Sequence, residues 1–164
     1  MTQRHFEQNG IFHVTSNTHE KCPWLTEPGI PQMIIDNLFM TKNLQRAEVY
    51  AFCILPDHMH ILVRPGQKGL SRFIQSFKSQ SIRDLRLIKP RSGESRLSAT
   101  GDMNELPKWQ KGFHDEKIES AEQMEHVLCY IRCNAWRHSI VASPEDWPRT
   151  SLHFASIVDP VEIW

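Results

Sequence analysis

Two β-rich apolar runs, residues 49–55 and His58–Arg64, are separated only by Pro56-Asp57, and no other stretch limits the fold as strongly. Such a pair predicts an antiparallel hairpin closed around Pro56. Side chains alternate along an extended chain, so His58, His60, Leu62 and Arg64 share one face while Met59, Ile61 and Val63 share the other. The second face is core. The first carries two imidazoles at i and i+2, which a rigid strand can direct at one divalent cation. Two polar residues on the open face of a half-buried sheet would give the same pattern.

The other elements follow from periodicity. Residues 10–16 read as a strand with Phe12 and Val14 on one side and Ile11, His13 and Thr15 on the other. Residues 18–30 suit a loop, and Pro31 suits the first residue of a helix. That helix runs from Gln32 to about Ala47, with Met33, Ile34, Leu38, Met40 and Leu44 near the helical period. A second, long helix shows a stripe of Leu70, Phe73, Ile74, Phe77, Ser81, Leu85 and Ile88, with Arg72, Lys78, Arg83 and Arg86 off it. Residues 90–107 form a Ser-, Gly- and charge-rich segment, expected to be a flexible basic loop. Residues 109–118 return to extended character, and Ser120-Ala-Glu-Gln123 fits a capping box opening a last helix to about His138. Residues 143–164 read as an irregular tail. The order strand, helix, strand, strand, helix, strand, helix predicts an α+β, ferredoxin-like (RRM-like) antiparallel sheet with helices on one face and the other face free. In that topology His13 neighbours His58 and His60.

At 164 residues the chain fits one domain, 1–164, able to bury a core without disulfides or metal staples. No window reaches the roughly 18 apolar residues of a membrane span, and the first ten residues lack the apolar core of a signal peptide, so a cytoplasmic, nucleoid-associated location is expected. Cys22, Cys53, Cys129 and Cys133 form no C-x-x-C pair. The formal net charge of zero hides a bias: from Ser71 to Lys111 nine bases face four acids, a local excess of +5. Lys78, Arg83, Arg86, Lys89, Arg91, Arg96, Lys108 and Lys111 are the candidate contacts to nucleic acid, although a solvated helix face and loop would carry the same charges.

Tyr130, Asn134 and Arg137 fall at i, i+4 and i+7, along the border of the last helix's apolar stripe. A phenol attacks phosphorus slowly at neutral pH unless a cation or base favours the phenolate. A cation held by His58 and His60 would supply that, with an Asn134 amide oxygen one helical turn beyond Tyr130 as a third donor.

These residues resemble a known family. Leu55-Pro-Asp-His-Met-His-Ile-Leu-Val63 is similar to the HUH motif (His, bulky hydrophobic, His), and Tyr130-Ile-Arg-Cys-Asn134 to the nucleophile motif of single-tyrosine HUH transposases. Phe12-His-Val-Thr15, Trp109-Gln-Lys-Gly-Phe-His-Asp115 and Pro144-Glu-Asp-Trp-Pro148 extend the resemblance over most of the chain, toward the transposase-like proteins associated with repetitive extragenic palindromes. The resemblance implies an HUH-endonuclease fold. It also implies Mg²⁺ or Mn²⁺ on His58, His60 and Asn134, beside which the strand order puts His13 as a candidate active-site neighbour. Tyr130 would then attack a single-stranded or hairpin DNA phosphate to give a 5′-phosphotyrosine and a free 3′-hydroxyl. Ala135 stands where the family pattern has Pro. A homodimer is compatible with this reading, with Tyr130 completing the site of its own subunit or of a companion. Two other readings use the same residues: a DNA- or RNA-hairpin-binding module that does not cut, and a metal-dependent hydrolase using water. Trp109, Trp136 and Trp147 are candidate platforms for unpaired bases, with core or edge packing expected for at least two of them.

Overall fold

The computed structural model describes residues 10–88 and 106–162. Lys89, Arg91, Arg96 and nearly all of the expected loop lie outside those residues. Four strands, β1 (Phe12–Asn17), β2 (Glu48–Ile54), β3 (His58–Arg64) and β4 (His114–Lys117), form one antiparallel sheet in the order β2-β3-β1-β4. The helices are α1 (Ile30–Gln45), α2 (Leu70–Ile88), α3 (Ala121–Arg132) and the single turn α4 (Asn134–Arg137). The expected ferredoxin-like order is realised.

The alternation read from the hairpin decides the layering. Phe12, Val14, Phe52, Ile54, Met59, Ile61 and Val63 point to one side, where α1 and α2 cover them with Ile34, Leu38, Phe73 and Phe77. Burying each large side chain there contributes roughly 1.5–3 kcal/mol before entropy is counted. The α1 stripe differs from expectation: Phe39 is buried, whereas Met40 and Leu44 are 40% and 74% exposed. Residues 33–34, 37–38 and 41 recur at the helical period, and 40 and 44 fall off it. In α2, Ile88 at the last turn is also exposed.

The opposite face is not left free. Met124, Val127, Leu128 and Ile131 of α3 pack over Ile11, Ala51, Cys53 and Leu62, covering the β2 and β3 part of the sheet. Sequence periodicity reveals an apolar stripe on α3 but not which sheet face it meets. The cap forms as expected: Ser120 Oγ accepts from the Gln123 N–H at 3.1 Å. The Gln123 amide oxygen reaches back to the Glu119 N–H at 2.7 Å, one residue before the usual capping-box partner. The last helix does not run unbroken to His138, because Cys133 (φ −95°, ψ 4°) ends α3 and a new turn starts at Asn134. Extended character over 109–118 reduces to β4 plus a bridge between Thr18 and Trp109.

The tail is irregular, yet it is bonded to the outer edge of β2. Cys53 bridges Thr150, the Phe52 N–H donates to Ser151 Oγ at 3.1 Å, and the Val49 N–H donates to Asp159 Oδ2 at 2.8 Å. Trp147 anchors it, donating from Nε1 to the Ile54 carbonyl at 2.9 Å. Gly66 marks the tightest backbone approach, since a Cβ there would stand 1.8 Å from the Gln45 carbonyl oxygen.

Candidate active site

Strand geometry brings the histidines together. Thr15 lies opposite His60 in the β1–β3 register and Asn17 opposite His58, so the face carrying Thr15 also carries His13. His13 Nε2 is 3.0 Å and Thr15 Oγ1 3.1 Å from His60 Nδ1. With its proton on Nδ1, His60 donates to these groups and keeps a lone pair on Nε2. That Nε2 is buried and has no hydrogen-bond partner. His58 is held in the same sense, its Nδ1 lying 2.6 Å from Asp57 Oδ1, which leaves its Nε2 uncommitted. The two rings meet edge to face with centroids 5.1 Å apart.

Burial favours the neutral imidazole. His60 is pushed down to about 3, first by burial and then by the positive charge His13, His58, His138 and Lys21 would add. His13 is also lowered by burial, against the opposing pull of Glu116, its partner in the β1–β4 register. At neutral pH His60 therefore offers an electron pair, not a charge.

The break in the last helix sets what lies above. Tyr130, near the end of α3, is half-buried, with its ring centroid 5.4 Å from that of His60 and 5.7 Å from that of His13. Its hydroxyl bonds to no protein group among the described residues. Arg137 places its guanidinium 5.2 Å from the centre of the same ring. Asn134 is fully buried, and neither its amide oxygen nor its nitrogen finds a partner. Buried amides are almost always satisfied, so this one calls for an explanation. The His138 ring lies 5.5 Å from His58.

The sequence candidates Tyr130, His58, His60 and His13 thus share one cluster, and Asn134 opens α4, four residues beyond Tyr130. Among the described residues no three His, Cys, Asp or Glu side chains form a ready-made metal cage. Two imidazole nitrogens with an amide oxygen are instead a mixed N and O set, suited to a small divalent ion that retains further oxygen ligands. The orphaned His60 Nε2 and Asn134 Oδ1 are the atoms such an ion would satisfy.

The basic candidates separate. Arg83 and Arg86 are exposed on α2, in the layer behind the sheet from the histidines. Lys78 donates to the Gln110 and Gly112 carbonyls at 3.2 and 2.5 Å and lies 5.6 Å from the centre of the Trp109 ring. Burial lowers it to about 8. It straps α2 to residues 110–112. Lys108 and Lys111 are exposed beside the end of β1, where the Gln110 N–H donates to the Asn17 carbonyl at 2.9 Å. Trp109 and Trp147 are buried, and Trp136 is 51% exposed.

Sequence reading missed Asp57, Thr15, His138 and Lys21. Asp57 carries a turn signal that masks its second role, and His138 lies beyond the helix break, which resets its angle. Lys21, whose ammonium donates to Asn17 Oδ1 at 2.7 Å opposite His58, sits in a loop without period.

Known proteins resemble this chain in sequence and in fold. A family model described as Transposase IS200 like matches residues 7–134. A protein of Haemophilus influenzae named "Putative REP-associated tyrosine transposase" is 30% identical over 158 residues, covering 92% of this chain and 84% of that protein. The REP-associated tyrosine transposase of Escherichia coli is 24% identical over 153 residues, covering 92% and 81%. A solved structure of a REP-associated tyrosine transposase bound to a REP hairpin superposes with a TM-score of 0.73 at 22% identity, covering 98% of this chain and 88% of that one.

Proposed function

Because this chain belongs to the IS200-like transposase family, we propose that it nicks and rejoins single-stranded DNA beside a hairpin, with Tyr130 as nucleophile. The observation that carries this reading is the Tyr130 ring, 5.4 Å from His60, above two imidazoles whose Nε2 atoms are uncommitted. The phenolate oxygen attacks phosphorus, the bond to the 3′ oxygen breaks, and the products are a 5′-phosphotyrosine and a 3′-hydroxyl. The same hydroxyl, or another, reverses the step without nucleotide hydrolysis.

Each residue has a role consistent with its surroundings. His58, His60 and Asn134 would hold Mg²⁺ or Mn²⁺. When bound, such an ion draws charge from the non-bridging oxygens of the phosphate and favours the phenolate. Asp57, Thr15 and His13 fix the imidazole protons on Nδ1, the orientation a ligating histidine needs. Arg137 and Lys21 border the cluster with positive charge for the flanking phosphates, together with Lys108 and Lys111. Trp136 offers an exposed ring on which an unpaired base can stack. Arg83 and Arg86, on the layer behind the histidines, hold the hairpin stem, and Lys89, Arg91 and Arg96 join them on charge alone. The 5.4 Å between the Tyr130 and His60 rings supports a site complete in a single subunit.

Incubation with labelled hairpin-bearing single strands and Mn²⁺ tests the reading. Wild type forms a covalent protein–DNA adduct and Tyr130→Phe forms none; an adduct that survives the substitution overturns the nucleophile. Hairpin binding without cleavage under every divalent ion would favour the non-cutting module, whose affinity falls steeply with salt. Cleavage without protein-linked phosphate would favour water as nucleophile. Among the described residues no helix is long and apolar enough to cross a membrane.

A further inference from the structure

The proposed chemistry uses Tyr130 and Asn134 but not the two cysteines beside them in sequence. Cys129 precedes Tyr130, Cys133 precedes Asn134, and their sulfurs lie 3.9 Å apart. Cys129 is exposed and Cys133 half-buried, so an oxidant reaches Cys129 first. Within a regular helix the Cβ atoms of residues i and i+4 stand about 5–6 Å apart, too far for the roughly 3.8 Å of a disulfide. Here Cys133 stands at the break between α3 and α4 (φ −95°, ψ 4°), and its N–H still donates to the Cys129 carbonyl at 2.9 Å, a bond that closure must distort.

We propose that Cys129 and Cys133 are a modification site: a dithiol that closes to a reversible disulfide and takes the Tyr130–Asn134 turn out of working geometry. The oxidant is a low-molecular-weight disulfide. Cys129 thiolate attacks one of its sulfurs and expels a thiolate, leaving a mixed disulfide. Cys133 then attacks Cys129 Sγ and expels the second thiolate. The protons of the two cysteines end on the two released thiols, so one disulfide is reduced as one forms. The sulfurs must approach by about 2 Å. Asn134 is bonded to Cys133 and moves with it, whereas a working site tolerates displacements of about 0.5 Å. This coupling rests on the proposed function; closure of the dithiol does not.

The full chain is treated with oxidised glutathione, its free thiols are alkylated, and it is digested with trypsin without reductant. Cleavage after Lys117, Arg132 and Arg137 separates the two cysteines, so the closed form leaves peptides 118–132 and 133–137 joined. In wild type the joined pair accumulates, DNA-adduct yield falls about 100-fold, and dithiothreitol restores both. Cys129→Ser and Cys133→Ser form no joined pair and keep their adduct yield under oxidant. Absence of the joined pair at oxidant levels that convert free dithiothreitol overturns the site, and a joined pair with undiminished yield overturns the coupling. A reduced wild type that makes no adduct under any divalent ion refutes the nuclease reading instead, and the peptides still decide closure.

Discussion

The two faces of the sheet are built from the same strands and place their unpartnered polar atoms differently. Behind it, Thr41 Oγ1 donates to the Asn37 carbonyl and Ser81 Oγ to the Phe77 carbonyl, both at 2.8 Å, and the buried atoms left without a partner, Ser16 Oγ, Gln45 Oε1 and Trp109 Nε1, lie on separate segments. In front, His60 Nε2 and both amide atoms of Asn134 are buried without a partner. An unpaired buried polar group costs about 1–3 kcal/mol. The rear face supplies stability that the front face gives up for a cluster of open lone pairs.

Substitutions on the two faces should therefore separate stability from chemistry. The largest effect is expected at Tyr130→Phe, which abolishes the DNA adduct while thermal denaturation leaves the midpoint within a degree or two; a large loss of stability would erase the contrast. Phe77→Ala, behind the sheet, should lower unfolding free energy by about 3–5 kcal/mol in urea titration. At temperatures where that variant is folded its adduct yield should match wild type. Asp57→Ala removes the carboxylate that fixes His58, and should weaken Mn²⁺-dependent cleavage about 10–100-fold, measured by metal titration, with little change in midpoint.

The effect that is smallest at neutral pH is a pH dependence. His60 titrates near 3 when folded and near 6.5 when free, so the unfolded chain binds the extra proton. Stability linked to this residue is full above about 6.5 and is lost as pH falls from there toward 3. His60→Gln should flatten that part of the midpoint-versus-pH curve; an unchanged slope would show that other groups carry it.

The back of the molecule was the more legible half. Alternation in 49–64 gave the strands, their facing and the imidazole pair, and the α2 stripe gave its buried side almost residue for residue. The front needed contacts that sequence does not encode locally. Arg132-Cys133-Asn134 contains neither Gly nor Pro, so nothing announces the break that sets Asn134 and His138. The resemblance to single-tyrosine transposases supplied the pairing of Tyr130 with the histidines before geometry did. Charge counting could not tell which layer a lysine serves, because the carbonyls that engage Lys78 lie 32 and 34 residues further on. The tail looked patternless because it pairs with β2 at single points, with no repeat to detect.

Those single points occupy β2's outward amides, which would otherwise be a template for a foreign strand. A protein shortened before Trp147 would present this border bare, and its failure would be collective: copies adding to one another edge to edge, slowly when dilute and fast when crowded.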